Sequence, residues 1–294
     1  MKNWFRFSGK ILFFGTLLAS VMLTSCNGDD DNNGVVKVDP NTIATTNLVA
    51  HFPFDGTATE RIANLTPVVQ PGLTFVPGRR NQAFQGANNA HLRYNLPAGS
   101  PLRALTSFSI AMWMRSPLVT GAPVPTIFEI GNSQDFFWGN LKIHLDRLPD
   151  TADSLNVRVF FMKDGVPWSG QHIGFGSRLF TVDRWMHLVL QYDAVTSKFT
   201  IFHNGTRVTT NPGVEDRWAE GTDVTPRRPL GPLNFVNADV INIGSWRPVT
   251  QGTSTDEWMG WFRGNLDELR VYSRALTATE VKGLYDAEVS QITN

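Results

Sequence analysis

Three kinds of side chain in this sequence could do chemistry: a carboxylate on a strand, a set of tryptophans on loops, and a lone cysteine. Asp267 lies in Asn265-Leu266-Asp267-Glu268-Leu269-Arg270-Val271, where period-two alternation puts it on the face of Leu269 and Val271. If that face is the core, the carboxylate must be paired, hydrogen-bonded or bound to a metal. An arginine or backbone amide is one answer. Calcium, a hard cation that takes carboxylate and carbonyl oxygens, is the other. Trp138, Trp168, Trp218, Trp246 and Trp258 fall in turn-like or loop stretches. An indole on a loop can stack on the apolar face of a pyranose while nearby polar groups bond its hydroxyls, or it can simply cover an end of the fold. Trp113 and Trp185 are assigned to core positions, and Trp261-Phe262 to core or rim. Glycoside cleavage needs two carboxyls facing each other across the scissile bond, and no strand offers such a pair. Glu215, Asp216 and Glu220 cluster in a Gly/Pro-rich stretch that reads as a solvated loop. There is no Gly-x-Ser-x-Gly and no His-Glu-x-x-His, and His187 and His203 read as sheet residues. The expectation is a protein without catalytic residues.

Cys26 is the one cysteine among 294 residues. Lys2, Arg6 and Lys10 precede an apolar run from Ile11 to Leu23, which is the charged opening and hydrophobic segment of a signal peptide, too short to span a bilayer. Leu23-Thr24-Ser25-Cys26 is similar to a bacterial lipobox, in which the thiol carries a thioether-linked lipid and cleavage leaves cysteine at the N-terminus. Several acyl chains hold a protein on a membrane where one binds marginally. Residues 1–25 are therefore assigned to the signal peptide and 26–46 to the lipidated cysteine and an acidic tether. Asn27-Gly28-Asp29-Asp30-Asp31 is similar to the export tag of Bacteroidota lipoproteins sent to the outer face of the outer membrane. With no second cysteine, no internal disulfide supports the body. Lys+Arg and Asp+Glu are balanced at 26 each, so no basic stripe argues for nucleic acid. Aromatics are abundant, with 20 Phe and 9 Trp.

Period two dominates the elements that must position these residues. In 107–116, Phe108, Ile110, Met112 and Met114 share a face; in 184–193, Met186, Leu188, Leu190 and Tyr192 do. Asn204-Gly205, between two strand-like runs, is the signal of a type I′ hairpin. Further strands are expected over 47–54, 125–131, 141–147, 155–163, 239–245 and 264–273, and Pro53 marks the first as an edge. Thr277-Ala278-Thr279-Glu280 has capping-box spacing, followed by the apolar stripe Val281, Leu284 and Tyr285 of a terminal helix. Many short strands between Gly, Pro and Asn loops predict an all-β fold, a two-sheet antiparallel sandwich with one short C-terminal helix.

The segments 48–58, 75–86, 107–115, 184–193, 199–208, 241–245 and 262–281, in that order, resemble the laminin-G-like, concanavalin A-like jelly-roll domains of bacterial surface proteins. The resemblance spans roughly 46–288, placing one jelly-roll domain at 47–290. Its most specific block is Gly-x-Leu-Asp-Glu-Leu-Arg-Val-Tyr followed by Arg-Ala-Leu-Thr and a helix. Asn81 stands where the family usually has glycine, and 209–238 looks like an insertion. The resemblance implies a sandwich and, often, a structural calcium near the first and last strands, for which Asp55 and Asp267 are the candidates. Fold alone names no ligand. The functional expectation is a surface lipoprotein that captures an extracellular polysaccharide or glycoconjugate on some of the five loop tryptophans, beside neighbouring transport or enzyme components. The rivals are an adhesin or structural module for a protein partner and, more weakly, a divergent glycoside hydrolase with carboxylates from 209–238.

Overall fold

The computed structural model describes residues 38–121, 123–148, 153–166, 169–220 and 225–289. Cys26 and Trp168 lie outside them. The strands are β1 (Leu48–Phe52), β2 (Phe75–Pro77), β3 (Gln82–Gln85), β4 (Leu92–Asn95), β5 (Phe108–Arg115), β6 (Val124–Asn132), β7 (Leu141–Arg147), β8 (Ser154–Phe161), β9 (Gln171–Thr181), β10 (Met186–Asp193), β11 (Lys198–His203), β12 (Thr206–Arg207), β13 (Ala238–Ile243), β14 (Met259–Gly260) and β15 (Asn265–Tyr272). The α-helices are α1 (Pro212–Glu215), α2 (Arg247–Thr250) and α3 (Ala278–Val289). One sheet runs β12-β11-β10-β5-β15-β3-β2, with β1 also on β15; the other runs β4-β13-β6-β7-β8-β9, with β14 on β6.

The alternation read from the sequence decides which faces meet. Phe108, Ile110, Met112 and Met114 of β5 and Met186, Leu188, Leu190 and Tyr192 of β10 join Ile143, Leu145, Val157 and Val159 of the opposite sheet in one buried core. Each fully buried aliphatic or aromatic side chain contributes roughly 1.5–3 kcal/mol. The β11–β12 turn has φ of 48° at Asn204 and 76° at Gly205, both positive as a type I′ turn requires. β1 pairs only with β15, and Pro53 follows its last residue. Asn81 adopts φ of 38°, a left-handed backbone that favours glycine or asparagine.

The first sheet is buried on its outer face too. Ala111, Val189, Phe202 and Tyr272 form a second apolar layer with Leu276, Val281 and Leu284. Thr277 N–H donates to Glu280 (2.8 Å) and Glu280 N–H to the Thr277 hydroxyl (3.2 Å), closing the capping box that starts α3. A buried ion network latches the helix down. Arg270 donates to Glu288 of α3 and to Glu268 (2.6 Å), while the Trp113 indole N–H reaches Glu288 (2.7 Å). Burial raises the Glu268 carboxyl, but Arg270, His51 and Arg80 overcome it and hold it at about 2.

Trp113 is buried as expected, beneath α3, its ring 5.7 Å from Tyr285. Three expectations change. Trp185 is only half-buried, just ahead of β10. The segment expected to be tether as far as residue 46 is partly docked: Pro40–Thr42 and Thr45–Asn47 are short 3-10 turns, Pro40 is buried, and Ile43 packs on the layer beneath α3. Finally, β15 carries a bulge between Asp267 and Arg270, with Glu268 at φ of 50°. The extra residue shifts the alternation, so Leu266, Leu269 and Val271 face the core while Asp267, opposite Trp113, faces away from it.

Candidate functional site

The outer face of the second sheet carries the aromatic side chains that the core does not use. β7 alternates Leu141, Ile143 and Leu145 inward with Lys142, His144 and Asp146 outward, and β8 sends Arg158 and Phe160 the same outward way. Cross-strand register aligns Asn242, Glu129, Lys142, Phe160 and His172 in one row across five strands. The turn after β6 drapes Phe137 and Trp138 over this row. Trp138 lies 4.7 Å from Phe160 and 4.9 Å from His172, between ring centroids. Trp246, just before α2, stands 5.0 Å from Trp258 and 5.3 Å from His144.

These side chains border a groove of about 260 Å³, walled by Trp138, Phe160, His172, Trp246 and Trp258. Its floor is low at Gly174, where an added Cβ would meet nothing nearer than Asn156 Oδ1 at 3.8 Å. Across the mouth, Arg158 pairs with Asp146 at 2.8 Å. Burial, with Lys142 and Arg158 adding to it, drives the His144 imidazole down to about 3, and burial with Arg158 lowers His172 as well. Both rings are therefore neutral at pH 7. The combination is a set of apolar ring faces beside one ion pair and two neutral imidazoles, which suits a polyhydroxylated ring with an apolar face.

Three of the five expected tryptophans, 138, 246 and 258, thus converge on one groove. Trp258 is 37 % exposed, but Trp246 is only 2 % exposed, so its ring backs the groove instead of projecting from a loop. Its indole N–H donates to Val124 O, and Lys142 Nζ lies 4.2 Å from its ring centroid. Beneath it, Glu129 and Lys142 are both wholly buried, 3.7 Å apart. Burial pushes the Glu129 carboxyl up and the Lys142 amine down, each against the pull of its partner. Trp218 borders a separate groove of about 390 Å³ with Gln171, His172, Asp216 and Arg227. Phe160, His172 and Gly174 were not among the residues expected from sequence. Their outward positions on β8 and β9 become meaningful only once the strands are in register.

A larger groove, about 520 Å³, lies elsewhere, with Pro117, Pro123, Trp261, Asn88 and Asp256 in its walls. It holds none of the five tryptophans and a single aromatic ring, so it offers less to a sugar. The carboxylates considered for hydrolysis are all taken. Glu215 accepts from Arg207 (3.1 Å) and Thr210 (2.7 Å), Asp216 from Lys198 (2.8 Å), and Glu220 from Arg228.

Asp267 is fully buried. Its Oδ2 accepts the Arg80 N–H at 2.8 Å, and its Oδ1 has no partner among the described residues. A Cβ at position 78 would lie 2.6 Å from Oδ2, which is why glycine is needed there. Burial, reinforced by Glu268 and Asp55, pushes the Asp267 carboxyl up to about 8. Asp55, close by, accepts from Asn81 (3.2 Å) and the Gln82 N–H (3.3 Å). An orphaned buried oxygen beside a second carboxylate fits a hard cation in chemistry. It supplies two of the six to eight oxygens calcium takes, and no group of three or more His, Cys, Asp or Glu gathers among the described residues.

No protein-family profile matches the chain, and no curated protein matches it. Solved structures do. The receptor-binding domain of botulinum neurotoxin type G is similar over 82 % of this chain and 51 % of its own, at 13 % identity and a TM-score of 0.53. The binding domain of botulinum neurotoxin DC, solved with rat synaptotagmin II, covers 83 % and 52 % at 12 % identity and 0.53. A botulinum neurotoxin type C structure, described as needing two ganglioside molecules to enter cells, covers 83 % and 52 % at 12 % identity and 0.55. This chain spans about half the length of those it matches. Identities this low establish the β-sandwich fold alone; the first two neighbours are named as binding domains.

Proposed function

We propose that the protein binds an extracellular glycan in the groove over β7, β8 and β9 and performs no chemistry on it. The observation that carries this reading is the convergence of Trp138, Trp258, Phe160 and His172 on one open groove whose floor is cleared at Gly174. Support comes from the neighbours, receptor-binding domains of which one is described with gangliosides. In the same reading Cys26 is lipidated after removal of residues 1–25, and the protein sits on the outer membrane facing outward. A tethered module there raises local glycan concentration for neighbouring components. Asp267 and Asp55, with backbone carbonyls and water, would hold a structural calcium tying β15 to the exit of β1.

The test is a glycan array probed with the detergent-solubilised full chain, with calcium and with chelator, alongside Trp138→Ala and Trp258→Ala. Binding to a defined glycan that both substitutions abolish supports the reading. A folded protein that leaves every glycan unbound overturns it in favour of a protein partner. For the anchor, Cys26→Ala should leave the membrane fraction, and its retention there would contradict lipidation.

A further inference from the structure

The Trp218 groove is not an isolated feature. His172 borders both it and the aromatic groove, so the two meet along the first residues of β9. Gln171 fixes the junction from beneath: its Nε2 donates to Trp218 O (2.9 Å) and to Ser169 O (2.7 Å), tying the strand to the 209–238 segment. At volumes of about 260 and 390 Å³, the pair reaches the several hundred Å³ (roughly 300–1,000) of sites that hold medium-sized ligands. Among the described residues β9 pairs only with β8, as an edge strand does, so every second residue has backbone N–H and C=O groups facing away from the sheet. Such groups suit sugar hydroxyls.

The charges along this path balance. Arg158, Arg217 and Arg227 border it, and so do Asp146, Asp216 and Glu220. The three acids are engaged, by Arg158 (2.8 Å), by Lys198 (2.8 Å) and by Arg228. Arg217 donates to Gly213 O, and the Arg227 guanidinium lies 5.7 Å from the Trp218 ring centroid.

Resting on the glycan-binding reading above, we infer that the two grooves form one trough for a linear oligosaccharide, with one sugar on Trp138 and Trp258 and a later one on Trp218, and with His172 at the waist. The trough selects for an internal stretch of a polymer over a single terminal sugar.

Calorimetry on the full chain tests this with gluco-, manno-, xylo- and galacturono-oligosaccharides of one to six sugars. Affinity for a series that binds is expected to rise about tenfold or more as the ligand grows long enough to reach Trp218, the gain of one further aromatic stack. Trp218→Ala should remove that gain and leave the short oligomer unchanged, whereas Trp138→Ala should abolish both. If Trp218→Ala leaves the longest oligomer unaffected while Trp138→Ala abolishes binding, the trough is wrong and the single groove stands. Should neither substitution alter the binding of any oligosaccharide, or none of these probes bind, the glycan reading and the trough fall together.

Discussion

Asp267→Asn tests the electrostatics of the bulged strand. The carboxyl is fully buried with one oxygen unpartnered, and burial lifts it from 3.8 to about 8. The unfolded chain releases this proton near pH 4, whereas the folded chain keeps it until about pH 8. Stability is therefore full below pH 4 and is lost as pH rises across that window, at ~1.4 kcal/mol per pH unit. At pH 7 the accumulated cost is on the order of 4 kcal/mol, and an asparagine, which has no proton to lose, avoids it. Its side-chain carbonyl can still accept the Arg80 N–H. Urea unfolding of both proteins from pH 5 to 9 measures the difference at each pH, so the other titrating groups cancel. The asparagine variant should gain on the wild type steadily to pH 8 and then level off. A difference that stays constant from pH 5 to 8 refutes the reasoning. Calcium reverses the sign where it binds, because the cation favours the ionised carboxylate. Millimolar calcium should then flatten the wild-type decline and leave the variant unchanged. If calcium alters neither curve, the proposed calcium site is wrong while the proton argument stands.

Three further outcomes follow from buried contacts. Lys142→Met removes the stronger of the two cations acting on buried Glu129, leaving Arg247, and should cost about 3 kcal/mol, most of it recovered by adding Glu129→Gln; a neutral single variant in urea unfolding would contradict the pairing. Glu288→Gln breaks the Arg270 link to α3, and amide exchange in Ala278–Val289 should quicken markedly while the core strands keep their protection. Unchanged exchange there would mean the apolar layer alone holds the helix. Gly264→Ala puts a methyl 2.2 Å from Arg115 O and should lower stability by about 1–3 kcal/mol in the same unfolding assay, against no change if the strands can part.

Much of the sandwich was legible because period two and turn chemistry are local. β5 and β10 split their faces as their alternation requires, and Asn204-Gly205 and the Thr277–Glu280 box announce their own backbone geometry. What failed was whatever depends on neighbours. One bulge residue at Glu268 turned Asp267 to the other side of its strand, which no alternation count detects. β9 was missed because Gly174 and Gly176 dilute its strand pattern, although Gly174 is what opens the groove. Trp246 reads as a loop residue in sequence, yet Lys142 and Phe137, remote in the chain or on another turn, enclose it. The aromatic types pointed to candidate ligand residues; which rings meet was decided by register across β6 to β9.

The most direct test of the proposed glycan groove is to fill it without touching its walls. Gly174→Leu places a side chain on the open floor, where an added Cβ has no atom within 3.8 Å and its strand gains a better β-former. The full chain and this variant, compared on the same glycan array, should differ completely: binding by the wild type, none by the variant, with equal thermal stability. A variant that binds the same glycans as tightly as the wild type would show that the ligand sits elsewhere on the molecule.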